Sequence, residues 1–332
     1  MAYTQLKPRH TPGARVEEIA RESAHYRLSI PSGFADSYRL AQLDDYTKIS
    51  RGRFPHRASL SLSLLACASS DSIAGTWGFG LWNDPFGLSL GFGGSPFRLP
   101  ALPNAAWFFG ASEENYLSFK EPSRPPEKHR DYSERTLSLP KRETKRELQT
   151  KSQFESSSSL ENRTSSTGSV TNAPPSAQRE TIAANGFLVQ TFCAPKFHPL
   201  LAVAGLALPF SRKMTRRLLG RVIQEDGVQL WSPATHRRMQ EQAPALQSRS
   251  EGVNPTQWHR YRLEWREQGV TFEVDEALVL ESHVSPNPPL GLVIWIDNQY
   301  AAFTPEGKIG FGVLANPEPA WLEVKEIELK SL

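Results

Sequence analysis

The chain has 332 residues, a length that allows one large domain or two small ones. Its formal net charge of +3 is too small to predict nucleic-acid binding, and the sequence contains no nucleic-acid-binding motif. The 8 Trp and 17 Phe residues are enough for a β-rich core, whereas a hydrophobic content of 39% indicates that part of the chain does not join that core.

The N-terminal sequence MAYTQLKPRHTPGARVEE is polar and has no apolar stretch of the kind found in secretory signals. With no transmembrane segment in view, the sequence predicts a cytoplasmic protein whose residues 1–25 are a flexible segment. Cys67 and Cys193 lie in apolar, strand-like runs, which predicts buried thiols and leaves a disulfide as the alternative. The absence of Cys-x-x-Cys and Cys/His clusters predicts no metal site, and no cofactor is predicted either.

Residues 26–120 are predicted to form the first part of a β-sandwich. The predicted strands lie near 26–30, 38–43, 60–67, 75–82, 105–109 and 116–119. The clearest alternation is the Ser/Leu pattern at 60–67, which is typical of a half-buried strand. After residue 109, Glu113 and Glu114 fall in a loop and are interpreted as solvated turn charges.

The segment 75–84, GTWGFGLWND, combines large aromatic residues with glycines. With a period of two, its first face is apolar and core-like; it carries Trp77, Phe79 and Leu81. Its second face carries Gly78, Gly80, Trp82 and Asp84. Glycine within a strand often marks the close approach of a ligand or of another backbone. Two interpretations stay open: a sugar ring stacks on Trp82 in the space beside the glycines, or the glycines make room for a facing side chain in a curved sheet.

Residues 121–181 differ from the rest of the chain because they are rich in Ser, Glu, Lys, Arg and Pro. Such a composition buries too little apolar surface to offset the entropy lost on folding. We therefore predict a disordered, low-complexity insertion between the two parts of the sandwich, with a transient helix around 141–151.

Residues 182–332 are predicted to form the second part of the sandwich. Its predicted strands lie near 187–193, 259–265, 270–274, 278–282, 290–299, 309–313 and 322–329. Short strands separated by Gly, Pro and Asn turns, with little helical periodicity, predict an all-β, two-sheet antiparallel sandwich.

A basic amphipathic helix is predicted near 212–225, in the sequence SRKMTRRLLGRVIQED. The apolar run at 199–210 before it is too short to span a membrane. The favoured interpretation is that Leu218, Leu219 and Val222 pack on the sandwich and leave the arginines in solvent. The alternative is contact with an anionic membrane surface.

Two C-terminal segments resemble a known superfamily. WHRYRLEWREQGVTFEVDEALVLES at 258–282 and AWLEVKEIEL at 320–329 are similar to strands of the concanavalin A-like lectin/glucanase superfamily, in particular family 16 glycoside hydrolases. The resemblance implies a jelly roll in which GTWGFGLWND occupies a strand of the ligand cleft. It also implies a Glu-x-Asp-x-x-Glu strand, which would supply the two carboxyls about 5–5.5 Å apart that a retaining glycosidase needs. The corresponding segment here, AAWFFG at 105–110, has no carboxylate, so no catalytic residue is carried over.

A second candidate segment is Trp295-Ile296-Asp297-Asn298-Gln299. Trp295, Asp297 and Gln299 share one strand face, where an indole, a carboxylate and an amide can stack on and hydrogen-bond a sugar. The alternative is a structural carboxylate, because Asp in a strand interior needs a partner such as Arg260, Arg262 or a backbone group.

If the strands adjoin as in the resembled fold, six side chains converge on one cleft and are the predicted ligand-binding residues: Trp82, Asp84, Trp107, Trp295, Asp297 and Gln299. The sequence then favours glycan binding without hydrolysis, with an oligosaccharide or polysaccharide as partner. One alternative is a glycoside hydrolase acting on β-glucans with Asp84 and Asp297 as its only candidate acid/base pair. Another is an interaction or membrane-surface protein that uses the basic helix. Whether the chain is an enzyme, and its oligomeric state, are left open.

Overall fold

The computed structural model describes residues 6–85, 101–119, 185–195, 212–234, 236, 252–304 and 308–332. These residues form two antiparallel sheets of seven strands each and a separate two-stranded sheet. The predicted antiparallel two-sheet β-sandwich is confirmed. The predicted insertion at 121–181 and the apolar run at 199–210 lie outside the described residues.

The described strands are, in chain order, β1 (Lys7–His10), β2 (Arg15–Ala20), β3 (His25–Ile30), β4 (Leu40–Asp44), β5 (Leu60–Ala68), β6 (Thr76–Trp82), β7 (Ala105–Ala111), β8 (Gly186–Cys193), β9 (Gln224–Trp231), β10 (His259–Arg266), β11 (Gly269–Val274), β12 (Ala277–Ser282), β13 (Gly291–Asp297), β14 (Gln299–Phe303), β15 (Ile309–Val313) and β16 (Ala320–Ser331). Helix α1 spans Arg212–Val222, and a short 3-10 helix spans Arg51–Arg53.

The first sheet has the strand order β1-β4-β13-β6-β7-β8-β9, and the second has the order β12-β11-β10-β5-β16-β3-β2. Strands β14 and β15 pair only with each other as the small third sheet. In the first sheet, β13 lies between β4 and β6, so that Trp295 is opposite Gly78 and Asp297 is opposite Thr76. This register brings together the two segments that the sequence singled out, 75–84 and 295–299.

The main core lies between the two large sheets. Trp77, Phe79 and Leu81 of β6 point into it and are at most 4% exposed, as the period of two predicts. They meet residues of β10; the rings of Phe79 and Tyr261, for example, have centroids 5.0 Å apart. Each such buried side chain stabilises the fold by about 2 kcal/mol.

The prediction that residues 1–25 are a flexible segment is wrong for much of this range. Strand β1 pairs with β4 at the edge of the first sheet, and β2 pairs with β3 at the edge of the second. Both are edge strands whose side chains are mostly exposed. They lack the apolar alternation by which sequence analysis finds strands, since edge strands can remain polar on both faces.

Two further element predictions need correction. The predicted strand at 116–119 is absent; Tyr116 makes only an isolated bridge to Ala302. The predicted helix near 212–225 exists as α1 but ends at Val222, and the sequence after it forms β9, an edge strand that the periodicity missed.

The charged side of α1 is only partly in solvent. Arg216 is 1% exposed and donates to the carbonyl oxygens of Ser118, Phe119 and Phe303. Arg217 and the other described arginine of α1 at position 221 are exposed. In the described ranges, no helix is long and apolar enough to cross a bilayer.

Both cysteines are free thiols, in agreement with the favoured prediction. Cys67 on β5 is buried, and burial raises the pKa of its thiol to about 11. Cys193 at the end of β8 is partly exposed, and burial raises its thiol pKa as well. Neither thiol therefore has the low pKa that marks a reactive cysteine.

Candidate functional site

The outer face of the first sheet, which points away from the main core, carries a cluster of indole rings. Trp82, Trp107 and Trp295 have pairwise centroid distances of 5.7 to 6.0 Å, and the rings of Trp82 and Trp295 are stacked with an interplanar angle of 8°. Phe109 joins them at 5.3 Å from Trp107. We call these four residues the aromatic face. The structure thus brings together the three tryptophans that the sequence placed in one cleft.

The aromatic face is covered by protein. Its tryptophans are 9%, 2% and 5% exposed at positions 82, 107 and 295. Side chains from other segments pack on it, including Tyr46 and Phe54, Phe119 before the undescribed segment, and Leu219 of α1. A sugar ring could therefore stack on these indoles only after the covering residues move.

Each indole N–H of the aromatic face already has a partner. Trp82 Nε1 donates to the Tyr46 hydroxyl at 2.7 Å, and Trp295 Nε1 donates to Thr76 Oγ1 at 2.9 Å. Trp107 Nε1 donates to Gln190 Oε1 at 3.4 Å. Buried polar groups of a packed core are satisfied in this way, so the hydrogen bonds indicate structural side chains.

The two strand glycines of β6 serve this packing. A Cβ at Gly78 would lie 3.0 Å from the Trp295 ring, and a Cβ at Gly80 would lie 2.7 Å from Trp107 Cβ. The space beside the two glycines is thus filled by the neighbouring strands β13 and β7. The nearest atoms are backbone carbonyl oxygens of β7, those of Phe108 and Ala106, which would overlap the two Cβ positions. These contacts favour the interpretation that the glycines make room for neighbouring groups of a curved sheet over the interpretation that they leave space for a ligand.

Asp297 ends β13 as a buried carboxylate with four donors. It accepts the Thr76 hydroxyl at 2.7 Å and the Tyr38 hydroxyl at 3.1 Å. It also accepts the backbone N–H groups of Thr76 and Gln299, both at 3.3 Å. Its partners are hydroxyls and backbone groups, not Arg260 or Arg262, which pair with glutamates on the second sheet.

Burial dominates the electrostatics around Asp297. It raises the pKa of the carboxyl to about 6, although the hydrogen bonds from Thr76 and Tyr38 act to lower it. Burial and the charge of Asp297 together raise the pKa of the Tyr38 hydroxyl well above its usual value. Asp297 thus ties β13 to β6 and to the Tyr38 segment, while remaining a titratable group close to neutral pH.

Asp84 lies two residues beyond β6, at the end opposite to Thr76 and Asp297. It has a φ of 49°, and its backbone carbonyl accepts the Arg51 guanidinium at 2.7 Å. Since an extended chain rises about 3.3 Å per residue, roughly 25 Å of chain separates Thr76 from Asp84. The charge of Asp84 also contributes to the raised pKa of the Tyr38 hydroxyl. This is not the arrangement of close carboxyls on one strand that the hydrolase resemblance implies.

Gln299, the sixth predicted site residue, lies on a different sheet from the aromatic face. It begins β14, pairs with Val313 and is partly exposed. Its backbone N–H holds Asp297, as described above. No group of three or more His, Cys, Asp or Glu residues within the described part of the chain could hold a metal ion.

A separate cavity lies at one end of the sandwich, where β6 and β8 begin and β7 and β9 end. We call it the end pocket; it has a volume of about 220 Å³. Its floor consists of the core side chains Ile73, Trp77 and Phe187, all at most 4% exposed. The rings of Trp77 and Phe187 are stacked with centroids 4.9 Å apart. Polar side chains complete the lining: Asp71, Ser72, Ser112, Glu113, Glu114 and Ser232.

Trp77 differs from the other buried tryptophans. Six of the eight tryptophans are buried, and the indole N–H groups of five of these donate hydrogen bonds. The sixth, Trp77, makes no hydrogen bond to any residue that the structure describes. Its Nε1 edge lies beside Gly110, another lining residue, since a Cβ at Gly110 would overlap Nε1. The end pocket therefore has a fixed, unpaired donor in its floor.

Sequence analysis missed the end pocket because its parts are far apart in the chain. Trp77 was assigned correctly to the core, and Glu113 and Glu114 were interpreted as turn charges. The adjacent acidic pair directly after an aromatic strand was the available signal. Only the fold shows that this acidic pair lines the same pocket as Asp71 and Trp77.

Comparisons with known proteins assign no family to the chain. No protein-family model matches the sequence, and no curated protein matches it. Solved structures do match. A family 16 glycoside hydrolase from Bacteroides ovatus, in complex with a mixed-linkage glucan product, has 7% identity and a TM-score of 0.39 over 100% of this chain and 96% of that one. A legume lectin-like domain from Entamoeba histolytica has 8% identity and a TM-score of 0.37 over 98% and 90% of the two chains.

The binding domain of botulinum neurotoxin DC, in complex with rat synaptotagmin II, also matches, with 6% identity and a TM-score of 0.36. The match covers 99% of this chain but only 45% of the neurotoxin chain, so this chain spans less than half of that structure. A legume lectin-like domain and a family 16 glycoside hydrolase are thus among the similar structures. At these identities and scores the matches say nothing about the ligand or activity of this chain.

Proposed function

We propose that the chain binds a saccharide in the end pocket and does not hydrolyse it. The observation that carries the proposal is the unpaired indole N–H of Trp77, which is 4% exposed and lies in the pocket floor. A ligand oxygen in the pocket would accept this N–H, and such a hydrogen bond contributes about 0.5–1.5 kcal/mol.

The remaining lining suits a polyhydroxylated ring. A sugar presents apolar C–H faces together with hydroxyls that both donate and accept hydrogen bonds. The pocket offers an apolar floor, the Trp77 donor, and carboxylate and hydroxyl acceptors at its rim. Its volume of 220 Å³ is below the roughly 300–1,000 Å³ of drug-sized sites, so we expect it to hold a single ring of a larger glycan.

The hydrolase alternative has less support in the geometry. It depends on Asp84, which lies two residues after the end of β6, and on Asp297, which pairs with Thr76 at the start of β6. Both Asp297 oxygens are engaged by donors from Thr76, Tyr38 and Gln299. Binding through the end pocket needs no such pair of carboxyls.

A glycan array covering β-glucans, galactans and amino sugars, followed by calorimetric titration of the tightest glycan, tests the proposal. Trp77→Phe keeps a ring in the floor and removes the N–H, so we expect about a tenfold loss of affinity. Trp82→Phe is the matched control, since it removes the indole N–H bonded to Tyr46 on the aromatic face. We expect this control to bind as the wild type does.

A second variant guards against unfolding of the Trp77 variant. Ala74 lines the pocket and is partly exposed, so Ala74→Leu fills the space from the rim without altering the floor. We expect loss of binding with little change in Tm. Absence of binding to every glycan, or loss of binding in Trp82→Phe while Ala74→Leu binds normally, would overturn the proposal.

A further inference from the structure

We infer that two copies of this chain pair through one exposed edge of β16 and form an antiparallel dimer. Residues 328–331 form this edge, and we call it the β16 edge. The contact would join the second sheets of the two copies into one continuous sheet. It uses no residue that lines the end pocket.

Strand β16 extends further than its neighbour β3. β5 pairs with β16 as far as Ser331, whereas β3 pairs with it only as far as Val324. The N–H of Glu326 then donates to the carbonyl oxygen of Ser23 at 2.8 Å, in the turn that leads into β3. Beyond this bond, no strand in the described part of the chain pairs with β16 on the side away from β5. The backbone N–H and C=O groups on that side can therefore pair with another chain.

The side chains of the β16 edge alternate between the two faces of the sheet. Glu328 and Lys330 are more than half exposed on the outer face, and Leu329 between them packs against the main core. A second copy can continue the sheet only if its charged side chains also lie on the outer face, since a slip of one residue would turn its apolar side chains outward. Proline and inward-pointing charges discourage such pairing, and residues 328–331 include neither.

A two-fold axis through Leu329 makes the β16 edge complementary to itself. In this register, Glu328 lies opposite Lys330 of the second copy, and Lys330 lies opposite Glu328 of the second copy. Opposite charges directly across two strands stabilise the pair, whereas like charges destabilise it. If the axis passed through Glu328 or Lys330 instead, two like charges would face each other. The charges therefore select one register.

The neighbouring strands extend this charge pattern across the outer face of the second sheet. Arg262 of β10 lies in the same row as Glu328, with Ser63 of β5 between them. Glu264 of β10 lies in the same row as Lys330. In the dimer, the row of one copy continues into the other row of the second copy, so that positive and negative side chains alternate along it. Because a two-fold contact occupies the β16 edge of both copies, the assembly closes at the dimer.

Sedimentation velocity of the full chain, at concentrations from about 1 to 200 µM, tests for the dimer. We expect the dimer fraction to rise with concentration. Lys330→Glu places two glutamates opposite each other at both charge pairs, and Glu328→Lys does the same with two lysines. Each variant should therefore raise the Kd of the dimer at least about tenfold. Both positions are exposed, so we expect the variants to fold as the wild type does.

A mixture of the two variants tests the register. In a dimer with one copy of Glu328→Lys and one of Lys330→Glu, both charge pairs are again opposite in sign. We expect this mixed dimer to recover the wild-type Kd to within about threefold. Glu267→Lys, at an exposed turn between β10 and β11, makes the same change in net charge as Glu328→Lys and is the matched control. This control should dimerise as the wild type does.

Three outcomes would overturn the inference. One is a wild-type chain that stays monomeric at the highest concentration. Another is a dimer whose Kd is the same in the wild type and in both single variants, since a different surface would then form it. The third is a mixture of the two variants that dimerises no more tightly than either variant alone, which would exclude the pairing of Glu328 with Lys330.

Discussion

The aromatic face and the end pocket use tryptophans of the same strand, β6, in opposite ways. Trp82 belongs to the aromatic face, where three indoles pack together, are covered by other side chains and are hydrogen-bonded. Trp77 points into the main core, but it lies near the end of β6 and reaches the end pocket with its N–H unpaired. The comparison teaches that the density of aromatic residues indicates packing here, whereas the proposed site depends on one indole N–H that has no partner among the described residues.

The largest expected effect is the loss of stability when an indole of the aromatic face is removed. If Trp295 is structural, Trp295→Ala should lower the free energy of unfolding by about 3–5 kcal/mol. Denaturant unfolding measures this value. Trp258→Ala, a change at a side chain that is 38% exposed, should cost much less. A stable Trp295→Ala protein that has lost glycan binding would identify the aromatic face as the ligand site.

The second effect is the change in unfolding free energy with pH that the buried carboxyl of Asp297 causes. Burial raises its carboxyl pKa from the ordinary value of 3.8 to about 6 in the folded state, so the folded state holds the proton more tightly than the unfolded chain does. The resulting stabilisation is fully present below about pH 4 and is lost as the pH rises through about 6; across this window it amounts to roughly 3 kcal/mol. The measurement is the difference in unfolding free energy between wild type and Asp297→Asn at several pH values.

We expect the wild type to lose stability relative to Asp297→Asn as the pH rises from 4 to 7. The exposed change Glu267→Gln should show no such trend. A difference that stays constant over this range, or that changes in the opposite direction, would show that burial does not control Asp297.

A third effect tests what covers the aromatic face. Arg216 holds the carbonyl oxygens of Ser118 and Phe119, and Phe119 packs on the cluster. Arg216→Ala leaves these carbonyls without their charged donor, which should cost about 2–3 kcal/mol and expose the indoles. Tryptophan quenching by acrylamide should increase, whereas Arg217→Ala, at an exposed position of α1, should leave quenching unchanged.

If Arg216→Ala gains glycan affinity instead, the aromatic face is a covered binding surface and the comparison must be reversed. Unchanged affinity together with increased quenching would support the packing role of the aromatic face. Both results are measured on the same protein preparation.

The smallest effect compares the two indole N–H groups of β6. Trp82→Phe breaks the hydrogen bond from the indole N–H to the buried Tyr46 hydroxyl, which still accepts the Gln42 amide. It should cost about 1 kcal/mol more than Trp77→Phe, which breaks no hydrogen bond within the described residues. Thermal unfolding of the two variants gives this difference. A greater loss in Trp77→Phe would mean that its N–H does have a structural partner.

The sequence predicted the parts of this fold that have a strong periodicity. The alternation of Trp77, Phe79 and Leu81 correctly assigned the core face of β6, and the Ser/Leu pattern correctly located β5. It missed β1, β2 and β9 because edge strands need not alternate apolar and polar residues.

The candidate site was predicted less well, for a physical reason. Sequence gives the residue types on a strand face but not which groups find partners across the fold. The donors to Asp297 come from Tyr38 and Thr76, which are more than 200 residues away in the chain. The end pocket likewise depends on Asp71, Glu114 and Ser232, which only the folded sheets bring together.

The most direct test of the central claim is a titration of the full chain with the glycan that binds most tightly on the array, observed by NMR at the eight tryptophan indole N–H groups. Trp77→Phe assigns the Trp77 resonance by its disappearance. We predict that this resonance shifts as ligand is added until the protein is saturated. The resonances of Trp82, Trp107 and Trp295 should keep the positions that they have in the free protein. Shifts confined to the resonances of the aromatic face, with that of Trp77 unmoved, would contradict the account.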